Sequence, residues 1–255
     1  MFDLTGRVAV ITGGSSGLGV QFAKVLAEQG ADVAIIARRM DKLESVAAEI
    51  RKTGRKCLPV QADLTQTKDI QNAVAAVIEE FGKVDILINN AGSAVPAPAE
   101  EMTDEQWDFT VTLNLSSVFK TAREFGKEMI KNNYGRIINI ASMHGLVGNI
   151  NKGLATSCAY HATKGGVVNL TRALAVEWSK YGITVNAICP GFFPSELTQP
   201  AFESEEFQRY IRLTTPLERT GRDGELNPAL LSLAADEAGY TTGSIVVIDG
   251  GTTAY

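Results

Sequence analysis

The sequence predicts an α/β fold: a doubly wound, three-layer sandwich in which helices cover both faces of a mostly parallel, seven-stranded sheet. Three observations carry that expectation. Short β-branched apolar runs alternate with amphipathic helical stretches from one end to the other. A glycine-rich turn follows the first apolar run directly and opens the first helix. Across 255 residues there is no linker, repeat or low-complexity tract, so a single domain spanning residues 1–255 is the economical reading.

Arg7-Val8-Ala9-Val10-Ile11-Thr12 reads as a buried parallel strand. It turns through Gly13-Gly14-Ser15-Ser16-Gly17-Leu18-Gly19 into a helix with Leu18, Phe22, Val25 and Leu26 on one face, which Gly30 stops as its C′ residue. Asp32–Ala37 is the second strand. Asp41 and Glu44 stand at capping-box spacing, so Asp41 is expected to cap the next helix. A strand over Lys56–Val60, a helix to about Phe81 and a strand over Val84–Ile88 continue the alternation. One long amphipathic helix is expected over Asp104–Lys131, followed by a strand at Arg136–Ile140 and a helix from Ala159 to about Tyr181. Ile183–Ile188, a long irregular segment, a helix near Pro228–Ala235 and a strand at Ser244–Ile248 complete the chain.

Composition excludes several classes. Apolar residues make up 45% and charged residues 21%, so disorder and collagen-like repeats drop out. The formal net charge of -5 argues against a nucleic-acid or anionic-membrane partner. Three well-separated cysteines, Cys57, Cys158 and Cys189, offer neither a disulfide framework nor a zinc site, so no metal is expected. With no basic leader before the first strand and no apolar run of the ~20 residues a membrane span needs, a cytoplasmic protein is expected.

Chemistry concentrates in two stretches. Glycines 13, 17 and 19, after a strand and before a helix, let the backbone approach a pyrophosphate whose charge the helix N-terminus stabilises. This is the pattern of a dinucleotide site. At the end of the second strand, where NAD-specific sites carry an acid, stands Ala37, followed by Arg38 and Arg39. An arginine fork binds a 2′-phosphate, so NADP(H) is expected over NAD(H), with NAD(H) remaining possible. The second stretch, Tyr160-His161-Ala162-Thr163-Lys164, sets a phenol and an ammonium on one helix face by the i,i+4 rule. A fixed cation favours the phenolate and pulls a pKa of ~10 toward neutrality, which suits proton transfer.

Together these features resemble the short-chain dehydrogenase/reductase family over nearly the whole chain. Beyond the Thr12–Gly19 turn, the resemblance rests on Asn89-Asn90-Ala91-Gly92 after the fourth strand, Asp63-Leu64 after the third, Pro190-Gly191 after the sixth and Asp249-Gly250-Gly251 after the last. It implies a Rossmann-type fold and hydride transfer between a nicotinamide cofactor and a secondary alcohol or ketone, a small-molecule substrate. It implies Tyr160 as general acid/base, Lys164 lowering its pKa and holding the nicotinamide ribose, Ser142 bonding the substrate oxygen, and Asn114 supporting a water in the proton relay. For the cofactor it implies contacts from Gly13, Ser15, Ser16, Gly17, Leu18, Gly19, Arg38, Arg39, Asp63, Leu64, Asn90, Ala91, Gly92, Pro190, Gly191, Phe193 and Ser195, besides Tyr160 and Lys164. It also implies a homotetramer built through the helices over 104–131 and 159–181. The chain departs from most members in a longer gap between Ser142 and Tyr160, with Asn149–Leu154 as the insertion bordering the pocket. That leaves Thr156 and Ser157 nearer the tyrosine, but Ser142 has the strand-end context.

For the substrate, Ser142, His144, Tyr160 and Phe192 are the expected contacts, under a lid over about 192–212 that carries Phe192, Phe193, Leu197, Phe202 and Phe207 with Glu196, Glu203, Glu205 and Glu206. His161, next to Tyr160, is expected on another helix face and without a role. The ending Asp249–Tyr255 and the Ser142-Met143 pair resemble gluconate 5-dehydrogenases and related keto-sugar reductases. A 3-oxoacyl thioester reductase and a hydroxysteroid dehydrogenase share most of the remaining features. A catalytically idle NADP-binding regulator and a nucleotide-sugar epimerase or lyase are the readings of another class; the complete residue set speaks against the first and the length against the second.

Overall fold

In the computed structural model, described for residues 2–148, 157–194, 202 and 204–254, the alternation becomes a seven-stranded sheet in the order β3-β2-β1-β4-β5-β6-β7, every adjacent pair parallel. The strands are β1 Val8–Thr12, β2 Asp32–Ala37, β3 Cys57–Gln61, β4 Ile86–Asn89, β5 Gly135–Ile140, β6 Ile183–Pro190 and β7 Ile245–Ile248. Successive strand residues face opposite sides, and the apolar runs satisfy both. Ala9, Ile11, Ile86, Ile88, Ile138 and Ile140 join one core layer with Phe22, Leu26, Leu43 and Ile50 from α1 (Gly17–Glu28) and α2 (Met40–Arg51). Leu226 and Leu230, the latter on α8 (Asn227–Ala234), complete that layer.

Val8, Val10, Leu87, Ile137 and Val185 join the other layer, with Ile70 and Val77 of α3 (Thr67–Phe81), Phe125 and Met129 of α5 (Ser117–Asn132) and Leu174 of α6 (Cys158–Trp178). Burying one such side chain fully is worth about 1.5–3 kcal/mol, which is why uninterrupted apolar strands need helices on both faces. No described helix is long and apolar enough to cross a membrane.

Four expectations need correction. The helix expected over 104–131 is broken: α4 (Asp104–Val111) passes into a π-helical turn at Thr112–Ser116 before α5 resumes. A single π turn inserts one residue inside an otherwise continuous helical pattern, which an unbroken helix does not accommodate. Asp41 does not cap α2; Arg39 holds the N-cap position without a side-chain cap bond, and Asp41 lies in the first turn. There its charge favours the helix N-terminus. The real capping box is at α4, where Thr103 and Gln106 bond reciprocally. The segment expected to be irregular contains α7 (Glu205–Thr214), capped by the Ser204 hydroxyl, which accepts from Phe207 N at 3.2 Å. The fourth strand starts at Ile86 instead of Val84, because the Asp85 carboxylate accepts from Val8 N at 2.8 Å and pairs with Lys83 at 2.9 Å. Gly30 takes the left-handed conformation expected past α1, with φ +100.

The sheet order reverses between β1 and β4. In doubly wound sheets ligands bind in the crevice that such a reversal opens at the strands' C-terminal ends.

Candidate active site

A cavity of about 1360 Å³ lies in that crevice, running from Ser16, Arg38 and Arg39 past Tyr160 to His144, Phe192 and Phe202. That exceeds the about 300–1,000 Å³ of an ordinary ligand pocket and leaves room for an extended cofactor with a substrate beside it.

At one end β1 turns through the glycines into α1. Gly13 and Gly17 have positive φ, +67 and +55, and Gly13 N donates to Ile36 O at 2.8 Å. A Cβ on Gly13 would stand 2.9 Å from Asn90 Nδ2 and 3.0 Å from Ala91 Cα, so the loop closes on the segment after β4. Asn90 is the clasp: its backbone N donates to the Thr12 hydroxyl at 2.9 Å, while Nδ2 donates to Thr12 O at 3.0 Å. At the start of α1, Ser16 makes no side-chain cap bond and the first turn holds no acid. The amides there have no internal anion, and a pyrophosphate fits them.

Arg39 donates from Nη2 to Ser16 Oγ at 3.2 Å, which draws its guanidinium over the glycine turn. Arg38 also lines the cavity, as do Ser15, Leu18, Leu64, Ala91 and Gly92. Asp63 turns its carboxylate onto Thr65, accepting from the backbone N at 3.0 Å and from the hydroxyl at 2.8 Å, and these bonds, with Arg38 nearby, hold its carboxyl below the usual range.

The other end is built from β5, α6 and the π turn. Ser142 ends β5 and caps a 3₁₀ turn over Met143–Gly145, accepting from His144 N at 3.2 Å. Tyr160 and Lys164 project from the first turns of α6, with Lys164 Nζ 5.6 Å from the phenol centroid. Lys164 Nζ also donates to Ile140 O at 2.8 Å. Burial pushes the Lys164 ammonium down to about 8.

The Tyr160 phenol moves opposite to the expectation. Burial raises its pKa, and the neighbouring Ser142 hydroxyl opposes that shift without overturning it. Counting only the cation overlooked the desolvation that both groups share.

Asn114, fully buried in the π turn, accepts from Ser93 N at 2.9 Å and donates to Ser93 O at 2.7 Å and Thr163 Oγ1 at 3.4 Å. It ties the segment after β4 to the Tyr160 helix. Ser157, nearer Tyr160 in sequence, caps α6 and donates to Val95 O at 2.9 Å. Its hydroxyl is committed there, whereas Ser142 lies beside the phenol.

Pro190 and Gly191 end β6, with Gly191 N on Ile248 O at 2.9 Å, and both line the cavity. Phe193 lines it too but is mostly core, 8% exposed. Phe192 meets His144 edge to face at 5.8 Å and joins Phe202, Phe207, Tyr210 and Ile211 in an apolar pad. Ser195, Leu197, Glu196, Glu203, Thr156 and the insertion at 149–154 lie outside the described residues.

One cavity-lining residue was missed. His161, although on a neighbouring helix face, still lines the cavity and stacks on His144, ring centroids 4.6 Å apart and planes at 26°. Nothing in the sequence pairs it with His144, whose placement depends on the turn after β5.

The family model for short chain dehydrogenases matches residues 7–206. The chain belongs to the short-chain dehydrogenase/reductase family. It is an NAD(P)-dependent oxidoreductase acting on alcohol and keto groups. It is 34% identical to a gluconate 5-dehydrogenase of Gluconobacter oxydans over 99% of this chain and 97% of that one. It is 36% identical to a 3-oxoacyl-(acyl-carrier-protein) reductase of Staphylococcus epidermidis over 96% of this chain and 98% of that one. Among solved structures, a gluconate 5-dehydrogenase from Burkholderia cenocepacia in complex with NADP and tartrate superposes with a TM-score of 0.94 at 32% identity, covering 100% of this chain and 98% of that one.

Proposed function

We propose that this oxidoreductase uses NADP(H) to interconvert a keto-sugar or keto-sugar acid with its secondary alcohol. The observation that carries the reading is the convergence of Ser142, Tyr160 and Lys164 at the β5 end of a crevice whose other end is lined by Arg38 and Arg39. The nicotinamide supplies or accepts the hydride when bound. The protein's part is position and protons. In the reductive direction the hydroxyls of Ser142 and Tyr160 hold the substrate oxygen, and the Tyr160 O–H bond breaks as its proton passes to the oxygen developing negative charge. Lys164 holds the ribose hydroxyls and keeps positive charge near the phenol. Asn114 fixes α6 against the segment at Ser93 and supports a water behind Lys164 in the relay.

The gluconate 5-dehydrogenase relatives favour the keto-sugar class, and the 3-oxoacyl reductase relatives keep a thioester as the second reading. Oxidation of NADPH and NADH against 5-ketogluconate, acetoacetyl thioesters and ketosteroids separates them. Preference for 5-ketogluconate supports the proposal; preference for a thioester or steroid overturns the substrate assignment and leaves the reaction class in place. The segment over 192–212 is proposed as the lid of a single domain; of its described residues, Phe192, Phe193 and Phe202 line the pocket. Apolar side chains left exposed on α4, α5 and α6, including Trp107, Phe119 and Val176, support a homotetramer built through these helices.

Two predictions arise here. Arg38→Ala is expected to weaken NADPH binding at least about tenfold more than NADH binding, because only NADPH offers the phosphate for a charge-assisted bond. Titration of both cofactors by fluorescence reads this, and equal losses would mean that Arg38 does not contact the 2′-phosphate. The second concerns pH. Lys164 is cationic below its lowered pKa of about 8 and neutral above it. The kcat/KM for ketone reduction is therefore expected to hold below pH 8 and decline above it. A profile flat to pH 10 would remove the ammonium from the mechanism.

A further inference from the structure

The stacked imidazoles of His144 and His161 form a polar wall at the substrate end of the cavity that the reading above leaves without a task. His161 Nδ1 lies 2.8 Å from the Ser157 carbonyl oxygen, an acceptor only, so Nδ1 carries the proton and the neutral ring has its lone pair on Nε2. That Nε2 is buried and, among the described residues, has no hydrogen-bond partner. A buried acceptor left without a donor is costly, and none of the described residues supplies one here. His144 covers one face of the ring, and burial with the neighbouring His161 pushes its own pKa down to about 4, so it is neutral at physiological pH. Its ring is also edge-on to Tyr160 at 6.3 Å and to Phe192 at 5.8 Å, which places the pair beside the phenol and under the lid.

The charges around the pair match. Among the described residues lining the cavity, the cations are Arg38 and Arg39 at the far end and Lys164 beside Tyr160; the anions are Asp63, next to Arg38, and Asp108 on α4. The wall facing the lid offers imidazole nitrogens and aromatic carbon.

We propose that the His144–His161 pair is the specificity-determining element of this site, accepting a hydrogen bond at His161 Nε2 from a substrate hydroxyl close to the reacting carbon. This rests on the keto-sugar reading and deepens it: the enzyme selects hydroxylated ketones because a ketone lacking that hydroxyl leaves the buried acceptor unpaired. The stack holds the acceptor's plane, and the neutrality of His144 keeps the pair from repelling itself.

The test is the ratio of kcat/KM for 5-ketogluconate to kcat/KM for cyclohexanone, a ketone without hydroxyls. In His161→Phe, which keeps an aromatic ring for the stack and loses the acceptor, the ratio is expected to fall about tenfold. His161→Gln, with an amide oxygen near the Nε2 position, is expected to restore most of it. A merely structural role for the ring would lower both constants together and leave the ratio. Wild-type preference for 5-ketogluconate that survives unchanged in His161→Phe overturns the histidine assignment and spares the keto-sugar reading. Wild-type preference for cyclohexanone overturns both. Should His161→Phe fail to fold, His161→Leu removes the same acceptor and is expected to lower the same ratio, and an unchanged ratio there is equally decisive against the pair.

Discussion

Tyr160→Phe is expected to lower ketone reduction by about 10²–10⁴-fold, the usual worth of a positioned proton donor, while NADPH binds with nearly unchanged affinity. The substitution removes one oxygen and keeps the ring in its place between Lys164 and His144. Because burial raises the phenol's pKa, the wild-type group keeps its proton at neutral pH and is ready to give it to a developing alkoxide. The hydroxyl of Ser142, left alone in the variant, can still bond the substrate oxygen. Lys164 is committed to the Ile140 carbonyl at 2.8 Å. Single-turnover reduction by bound NADPH, with affinity measured separately by fluorescence, checks the prediction. Activity within a few-fold of wild type would take the acid/base role away from Tyr160, and lost NADPH affinity would show that the phenol serves binding instead.

The raised phenol pKa also shows where reading the sequence stops. The i,i+4 spacing of Tyr160 and Lys164 is a property of the chain itself, and it placed both groups together. Their mutual burial is a property of what packs over α6, namely β5, β6 and the π turn, and no local pattern reports it. The same division runs through the fold. Strands such as Asp32–Ala37 were legible to the residue because both faces are apolar, so every position of the run is β-branched or alanine after the first. Helix α7 carried a readable signal in Ser204, Phe207 and Ile211, a capping residue followed by an i,i+4 apolar pair, but it sits in a stretch that reads first as a lid. The π turn at Asn114 lies inside one continuous helical pattern, and there Asn114 is fully buried and bonded to Ser93 and Thr163.

At the cofactor end, the glycine spacing identified the loop, whereas the clasp that Asn90 makes on Thr12 became visible only with β1 and β4 side by side. For His161 the reasoning failed for a geometric reason. Neighbours on a helix diverge by about 100°, yet in the first turn of α6 a third ring, His144, is met by both Tyr160 and His161.

Gly19→Ala is the second large effect. Its hydrogen faces the Gly13 carbonyl across the start of α1, and a Cβ there would stand 2.8 Å from Gly13 C and 2.7 Å from Asn90 Nδ2, with the Gly13 oxygen closer still. The Gly13 atoms are backbone, fixed by the bond from Gly13 N to Ile36 O, so they cannot rotate away as a side chain would. Either α1 lifts from β1 or the Gly13–Gly17 turn opens, and both displace the amides that a pyrophosphate needs. Overpacking of this kind costs about 1–3 kcal/mol, which in a chain of this size lowers the melting temperature by roughly 2–4 °C per kcal/mol. The loss in NADPH affinity is expected to be about 10²-fold, because several charge-assisted bonds are misplaced together. Gly148→Ala, where a Cβ would meet none of the described residues within 4 Å, is the control for a bare glycine-to-alanine change. Isothermal titration with NADPH and a thermal melt of both variants check the argument. Wild-type affinity in Gly19→Ala would mean that the cofactor does not approach the backbone at this turn, and the dinucleotide site would have to be sought elsewhere along the crevice.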